Sequence, residues 1–169
     1  MRRVTRVDFP GESGLGEFRQ GADFWDSWSA PLVDASLSPT EIFLRASRAT
    51  PRWVSRAMAA RNALARRLGL KDVGAMDAAR GKPAAAYRRG DRLGIFTVFD
   101  VDASELRLGI DDRHLDVRVS VLKVSGERAE RYVVSTVVRV HNRLGRLYML
   151  PVGRVHPFVV RAMMRGAEV

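Results

Sequence analysis

Residues 93–141 decide the fold. They contain LGIFTVFDV (93–101), ELRLGID (105–111), HLDVRVSVLKV (114–124) and RAERYVVSTVVRVH (128–141). Apolar and polar residues alternate through all four segments. This is the period of strands that bury one face and wet the other. Asp102-Ala103-Ser104, Asp111-Asp112-Arg113 and Ser125-Gly126-Glu127 separate them and carry turn chemistry. Connections this short join antiparallel neighbours, so the sequence predicts a β-meander.

Upstream, ADFWDSWSAPL (22–32) reads as one more strand, with Phe24, Asp26 and Trp28 on one side and Trp25 and Ser27 on the other. Pro31 marks it as an edge strand, because proline cannot serve a central ladder. Ser38-Pro39-Thr40-Glu41 is a helix start with a cap, a proline at the first position and a capping-box glutamate. That helix should run to Ala49. Thr50-Pro51 repeats the signal for a second helix over 51–68, stopped by Gly69. Its apolar stripe combines a row of Val54, Met58, Arg61 and Ala65 with a row of Trp53, Ala57, Leu64 and Leu68. Residues 69–92 read as a long mobile loop, and residues 1–20 as an irregular lead-in. After the meander, Asn142 caps a helix over 143–150. Pro151 and Gly153 are expected to break it before a last helix over 157–166.

The whole chain, 1–169, reads as a single α+β domain: one strand, two helices, an antiparallel meander and a closing helix. A long terminal helix across a curved sheet is the helix-grip arrangement, and it leaves a cavity suited to a small apolar ligand. The aromatic and sulfur side chains expected to line that cavity are Trp53, Phe96, Tyr132, Tyr148, Phe158 and Met163.

Composition narrows the chemistry. There is no cysteine, which removes disulfides, thiolate metal sites and cysteine nucleophiles. Three histidines leave little for a metal centre, and neither a metal nor a cofactor is expected. No run reaches the roughly 18 apolar residues of a membrane span. The basic start Met1-Arg2-Arg3 lacks the apolar stretch of a secretory signal, so the cytoplasm is the expected location. Lys plus Arg number 29 against 19 acids, a net charge of +10. Such a balance invites a polyanion. The arginines are spread along the chain, however, so nucleic acid is not the expected partner. One basic stripe, Arg45, Arg48, Arg52 and Arg56, could meet phosphates or an anionic membrane, although an ordinary wet helix face is the preferred explanation.

The densest polar group is Asp111, Asp112, His114, Asp116 and Arg118. Alternation puts His114, Asp116, Arg118 and Ser120 on one strand face, and Leu115, Val117, Val119 and Val121 on the other. Arg139 and His141 on the following strand extend the polar row. One reading makes this an acid–base site, with Asp116 orienting His114 and Arg118 holding an anionic substrate, as in a cyclase or hydrolase. Another places a divalent metal on His114 with Asp111 or Asp112. The plainer reading is a turn followed by a solvated strand face with cross-strand ion pairs. No phosphate-binding glycine loop or nucleophile elbow is present in context.

Several runs resemble a bacterial family of uncharacterised proteins, domain of unknown function 2867. They are Pro51-Arg52-Trp53, Arg61-Asn62-Ala63-Leu64, Leu68-Gly69-Leu70-Lys71, Asp111 to Ser120, Ser135 to Asn142, Gly145-Arg146-Leu147-Tyr148 and Pro157 to Met164. The likeness covers roughly residues 20–166. It implies a helix-grip (START/Bet v 1-like) fold of the START and polyketide-cyclase superfamily, whose members bind lipids, hormones or polyketides and only in part are enzymes. It implies no reaction. The order His156-Pro157-Phe158 departs from the expected Pro-Phe-His, so no role is carried over to His156.

Overall fold

A computed structural model describes residues 3–67, 82–126 and 129–169. The elements are β1 (Thr5–Arg6), α1 (Gly16–Arg19), β2 (Phe24–Pro31), α2 (Pro39–Arg48), α3 (Arg52–Arg67), β3 (Arg92–Leu93), β4 (Phe96–Val101), β5 (Glu105–Asp111), β6 (Leu115–Val124), β7 (Arg131–Val140) and α4 (Arg143–Gly166). The chain is α+β: a seven-stranded antiparallel open sheet, ordered β1-β2-β7-β6-β5-β4-β3, with a C-terminal helix.

The last three strands of the meander form where alternation predicts them, but the first expected strand, 93–101, is divided by a turn at Gly94-Ile95, with Gly94 at positive φ, into the antiparallel pair β3 and β4. β5, β6 and β7 pair in unbroken register, with Leu108 opposite Val119 and Val119 opposite Thr136. A bulge at Phe99 shifts the register of β4 on β5. β2 is not the edge strand expected from Pro31. It pairs along its whole length with β7, and the lead-in supplies the edge as β1, which reaches only Trp28 and Ser29. Pro31 lies beyond that short pairing, so its missing N–H costs no ladder bond to β1.

The lead-in is also less irregular than expected. Besides β1 it contains the single turn α1, and it is pinned to the outer face of the sheet by the buried Glu105. That carboxylate accepts from Ser13 Oγ at 2.6 Å, Gly14 N at 2.9 Å and Ser120 Oγ at 2.5 Å.

Of the expected loop 69–92, residues 69–81 and the stop at Gly69 lie outside the described residues. Residues 82–92 are held in place. Ala84–Ala86 form a 3₁₀ turn, Tyr87 is buried, and Asp91 accepts from Lys82 Nζ at 2.5 Å and Arg88 N at 2.7 Å.

The largest departure is α4. Its 24 residues run straight through Pro151 and Pro157 as one helix. Each proline forfeits one backbone bond and crowds the preceding turn. One inner stripe repays that cost: Met149, Val152, His156, Val159, Val160, Met163 and Met164 recur at helical spacing on both sides of the prolines. A break at 151–156 would swing half of the stripe off the sheet. At the start of α4, Asn142 caps Gly145 N at 3.1 Å, and a Cβ on Gly145 would collide with the His114 carbonyl. That glycine lets the helix touch down on the end of the sheet.

α2 starts as predicted. Ser38 Oγ accepts from Glu41 N at 3.3 Å, and Glu41 Oε2 accepts from Ser38 N at 2.8 Å. The same bonds hold the Glu41 carboxyl below the usual glutamate range, the backbone bond from Ser38 first and its hydroxyl second. Ser38→Ala should cost about 1 kcal/mol in urea unfolding. Because the folded carboxyl is the stronger acid, its contribution is complete at neutral pH and fades as pH falls through and below the usual glutamate range. Glu41→Gln should remove that part of the acid sensitivity, read as a flatter unfolding midpoint against pH.

Candidate functional site

Alternation gives the sheet two unlike faces. Val98, Leu108, Val119, Val121 and Tyr132 point inward, toward α2 and α4, and are buried. α2 lays Ile42, Phe43 and Ala46 on one part of this face, and α4 spans the rest. The two helices do not fill the space over the curved sheet. An almost wholly apolar cavity of about 230 Å³ remains, walled by Ile110, Val117, Val119 and Val134 from the sheet, by Phe43 and Phe96, and by Val152, Val160 and Met163 from α4.

A polar pair adjoins this apolar chamber, one member of it lining the wall. His156, on the inner stripe of α4, lines the cavity. Its Nε2 lies 3.4 Å from Oδ1 of Asp26 on β2, whose residue is 2% exposed. The approach is within ion-pair range but lacks hydrogen-bond geometry, and both atoms are buried without a hydrogen-bond partner. The other carboxylate oxygen is fixed by Trp28 Nε1 at 3.0 Å. Phe24 meets the His156 ring edge-on at 5.7 Å, and the Arg161 guanidinium lies 5.3 Å from the Trp28 ring centre. Strand alternation puts Phe24, Asp26 and Trp28 on one side of β2. The uninterrupted helix brings His156 to them across 130 residues of chain. An acceptor and an imidazole held beside an apolar chamber can bind a hydroxyl or move a proton; their spare bonding capacity is what distinguishes them from a finished structural pair.

Phe96, Tyr132, Tyr148 and Met163 line the cavity. Two expected lining residues do not. Phe158 is 63% exposed, because an unbroken α4 turns it to the outer side while His156, two positions earlier, takes the inner one. Trp53 is 46% exposed, because α3 buries the neighbouring row through Val54 and Met58. Leu68 of the Trp53 row lies outside the described residues. Sequence reasoning missed the Asp26–His156 pair by ending a helix at Pro151. The signal available was the apolar spacing that carries on across both prolines.

The polar row faces the other way. Leu115, Val117, Val119 and Val121 line the cavity, so Asp116 and Arg118, which alternate with them, point to the outer face. An acid–base site of His114, Asp116 and Arg118 acting on a molecule in the cavity is therefore excluded. His114 Nδ1 lies against the Asn142 side-chain amide, and its Nε2 accepts from Arg113 Nε at 2.8 Å. Asp116 pairs with His141 at 3.0 Å, not with His114. Asp116 lies opposite Arg139 in the register, yet Arg139 donates to the carbonyls of Glu17, Phe18 and Gln20. Arg118 pairs with Asp111 at 2.7 Å and is sandwiched between Phe18 and Phe99. It lies over Gly109, where a Cβ would come within 2.8 Å of its guanidinium. These groups tie the lead-in and turns to the sheet. Among the described residues, no three His, Asp or Glu side chains gather as a metal site.

The two polar groups should respond differently to truncation. Asp116→Ala and His141→Ala remove a half-exposed pair and should each change stability by less than about 1 kcal/mol in urea unfolding. Asp26→Ala strands the buried Trp28 indole N–H and His156, and should cost about 1–3 kcal/mol. The triple change Asp26→Leu, Trp28→Phe and His156→Leu should recover most of that loss, since no polar group is then left buried alone.

No curated protein and no solved structure matches the chain. A family model described as "Protein of unknown function (DUF2867)" matches residues 18–163, which takes in β2, the meander, Asp26, His156 and nearly all of α4. The chain thus belongs to the DUF2867 family of proteins of unknown function.

Proposed function

We propose that the protein binds a small, largely apolar ligand bearing one hydroxyl group, between the sheet and α4. The observation that carries this reading is the cavity of about 230 Å³, apolar on nearly every side, with Asp26 Oδ1 and His156 Nε2 close together beside it and neither hydrogen-bonded. A cavity of about 150 Å³ accepts benzene, so this one suits a molecule of about ten non-hydrogen atoms, such as a fused bicycle. A hydroxyl donates and accepts at once. It can give its proton to Asp26 and receive the N–H of His156, satisfying both buried atoms. A ligand carboxylate would meet the Asp26 oxygen and be repelled. The order of strand, two helices, antiparallel sheet and closing helix is akin to that of helix-grip, START/Bet v 1-like domains, which supports a ligand cavity by analogy of fold.

Fluorescence titration with naphthalene and naphthol tests this. Saturable one-to-one binding is expected, with naphthol tighter by several-fold, the net worth of about one buried hydrogen bond. Val117→Phe fills the chamber and should weaken both probes about tenfold or more without lowering thermal stability. His156→Phe should abolish the preference for naphthol while keeping naphthalene. Absence of saturable binding, or indifference to Val117→Phe, overturns the reading.

A further inference from the structure

α4 has a second face that the cavity does not use. Six large apolar residues are exposed among the described ones, and four of them, Leu147, Leu150, Val155 and Phe158, lie on the outside of α4. At about 100° per residue, Leu147, Arg154, Phe158 and Arg165 fall along one line, opposite the inner row of His156 and Met163. Leu147 and Phe158 are separated by about 16 Å along the axis. Arg143, Arg154 and Arg165 are exposed on the same side and Arg146 at its flank, and the helix contains no acidic residue. None of these four arginines forms an ion pair among the described residues.

An ordinary surface helix keeps its outer face polar, and this one interleaves leucine, valine and phenylalanine with unpaired cations. Three occupants compete for such a face. A second copy of the chain would set arginines against arginines across an interface with no acid to separate them. A nucleic acid would reward the arginines but leave Leu147, Leu150 and Val155 against water or phosphate. An anionic lipid surface satisfies both kinds of side chain. Its acyl boundary takes the apolar residues, its phosphates take the guanidinium groups, and the net charge of +10 draws the chain toward it.

We propose that the outer face of α4 docks the protein on an anionic lipid surface, with the helix lying in the plane of the interface. The inner and outer stripes are opposite sides of one helix, so this docking does not depend on what the cavity holds. The basic stripe Arg45, Arg48, Arg52 and Arg56 is exposed with one large apolar residue, Trp53, exposed beside it, against four on α4, which makes it the control for charge with little apolar area.

Co-sedimentation of the full chain with vesicles decides the matter. Equimolar phosphatidylcholine–phosphatidylglycerol vesicles should retain the protein, and pure phosphatidylcholine vesicles should not. Changing Arg143, Arg146, Arg154 and Arg165 together to Gln should weaken retention by roughly fivefold per arginine. Leu147→Ser with Phe158→Ser should weaken it about tenfold or more, with an unchanged unfolding midpoint. The same Gln changes at Arg45, Arg48, Arg52 and Arg56 should have much the smaller effect. Equal losses from the two arginine sets would reduce the effect to general charge and overturn the proposal. It is likewise overturned if Leu147→Ser with Phe158→Ser binds as wild type, or if a DNA duplex binds more tightly than vesicles at equal salt. A dimer that those two serines dissociate, seen by sedimentation equilibrium, would assign the face to self-association instead.

Discussion

One face of the sheet must be kept from water, and few elements are available to cover it. Val98, Leu108, Val119, Val121 and Tyr132 form a continuous apolar surface over four strands. At about 25 cal/mol per Å², its exposure would be unaffordable for a chain this size. α2 covers one part and α4 the other. This demand holds α4 together through two prolines, since the hydrophobic gain of a continuous inner stripe exceeds the loss of two backbone bonds. The cavity follows from the same division: α2 and α4, the latter anchored at both ends, cover the apolar face without filling the space above it. Gly145 secures one end against the His114 carbonyl, and Gly166 packs closely on Ala49 at the other.

The two faces divide the polar residues by use. On the outer face the charges have partners. Arg118 lies between two phenylalanines, Arg139 gathers three carbonyls of the lead-in, and Glu105 collects two hydroxyls and a backbone N–H. Such networks fix a segment in place, and a polar cleft lined by Asp100, Arg107, Arg118 and Arg139 lies beside them. On the inner face, Asp26 and His156 come close without bonding, in surroundings where an unbonded polar atom is costly. Buried polar atoms without a hydrogen bond also occur at Ser47 Oγ, Arg107 Nε and Arg161 Nε; what sets Asp26 Oδ1 and His156 Nε2 apart is that they face each other next to the apolar cavity.

α4 therefore works on both sides. Its inner row closes the chamber, and its outer row presents leucine, phenylalanine and arginine to the surroundings. Neither row can be moved without the other, because a helix fixes their relative direction at each residue. A rotation of one residue would put Val155 or Pro157 in the place of His156 and turn His156 off the cavity. The position of His156 and the exposure of Phe158 are thus one fact about the register of the helix.

Much of the local structure was legible in the sequence. The alternation in 93–141 determined β4 to β7 and their antiparallel order, though not the turn at Gly94-Ile95 that sets β3 apart, and Ser38-Pro39-Thr40-Glu41 determined the start of α2, because each of these signals is satisfied by neighbours in the chain. Alternation also determined that Asp116 and Val117 face opposite ways. It could not decide which of the two faces the helices would cover. The fate of Pro151 was likewise beyond it: local rules price the break, but only the sheet beneath sets the reward for continuity. For the same reason the joining of Asp26 to His156, and the turning outward of Trp53 and Phe158, were settled by packing between segments far apart in the chain, where pairwise propensity carries no information.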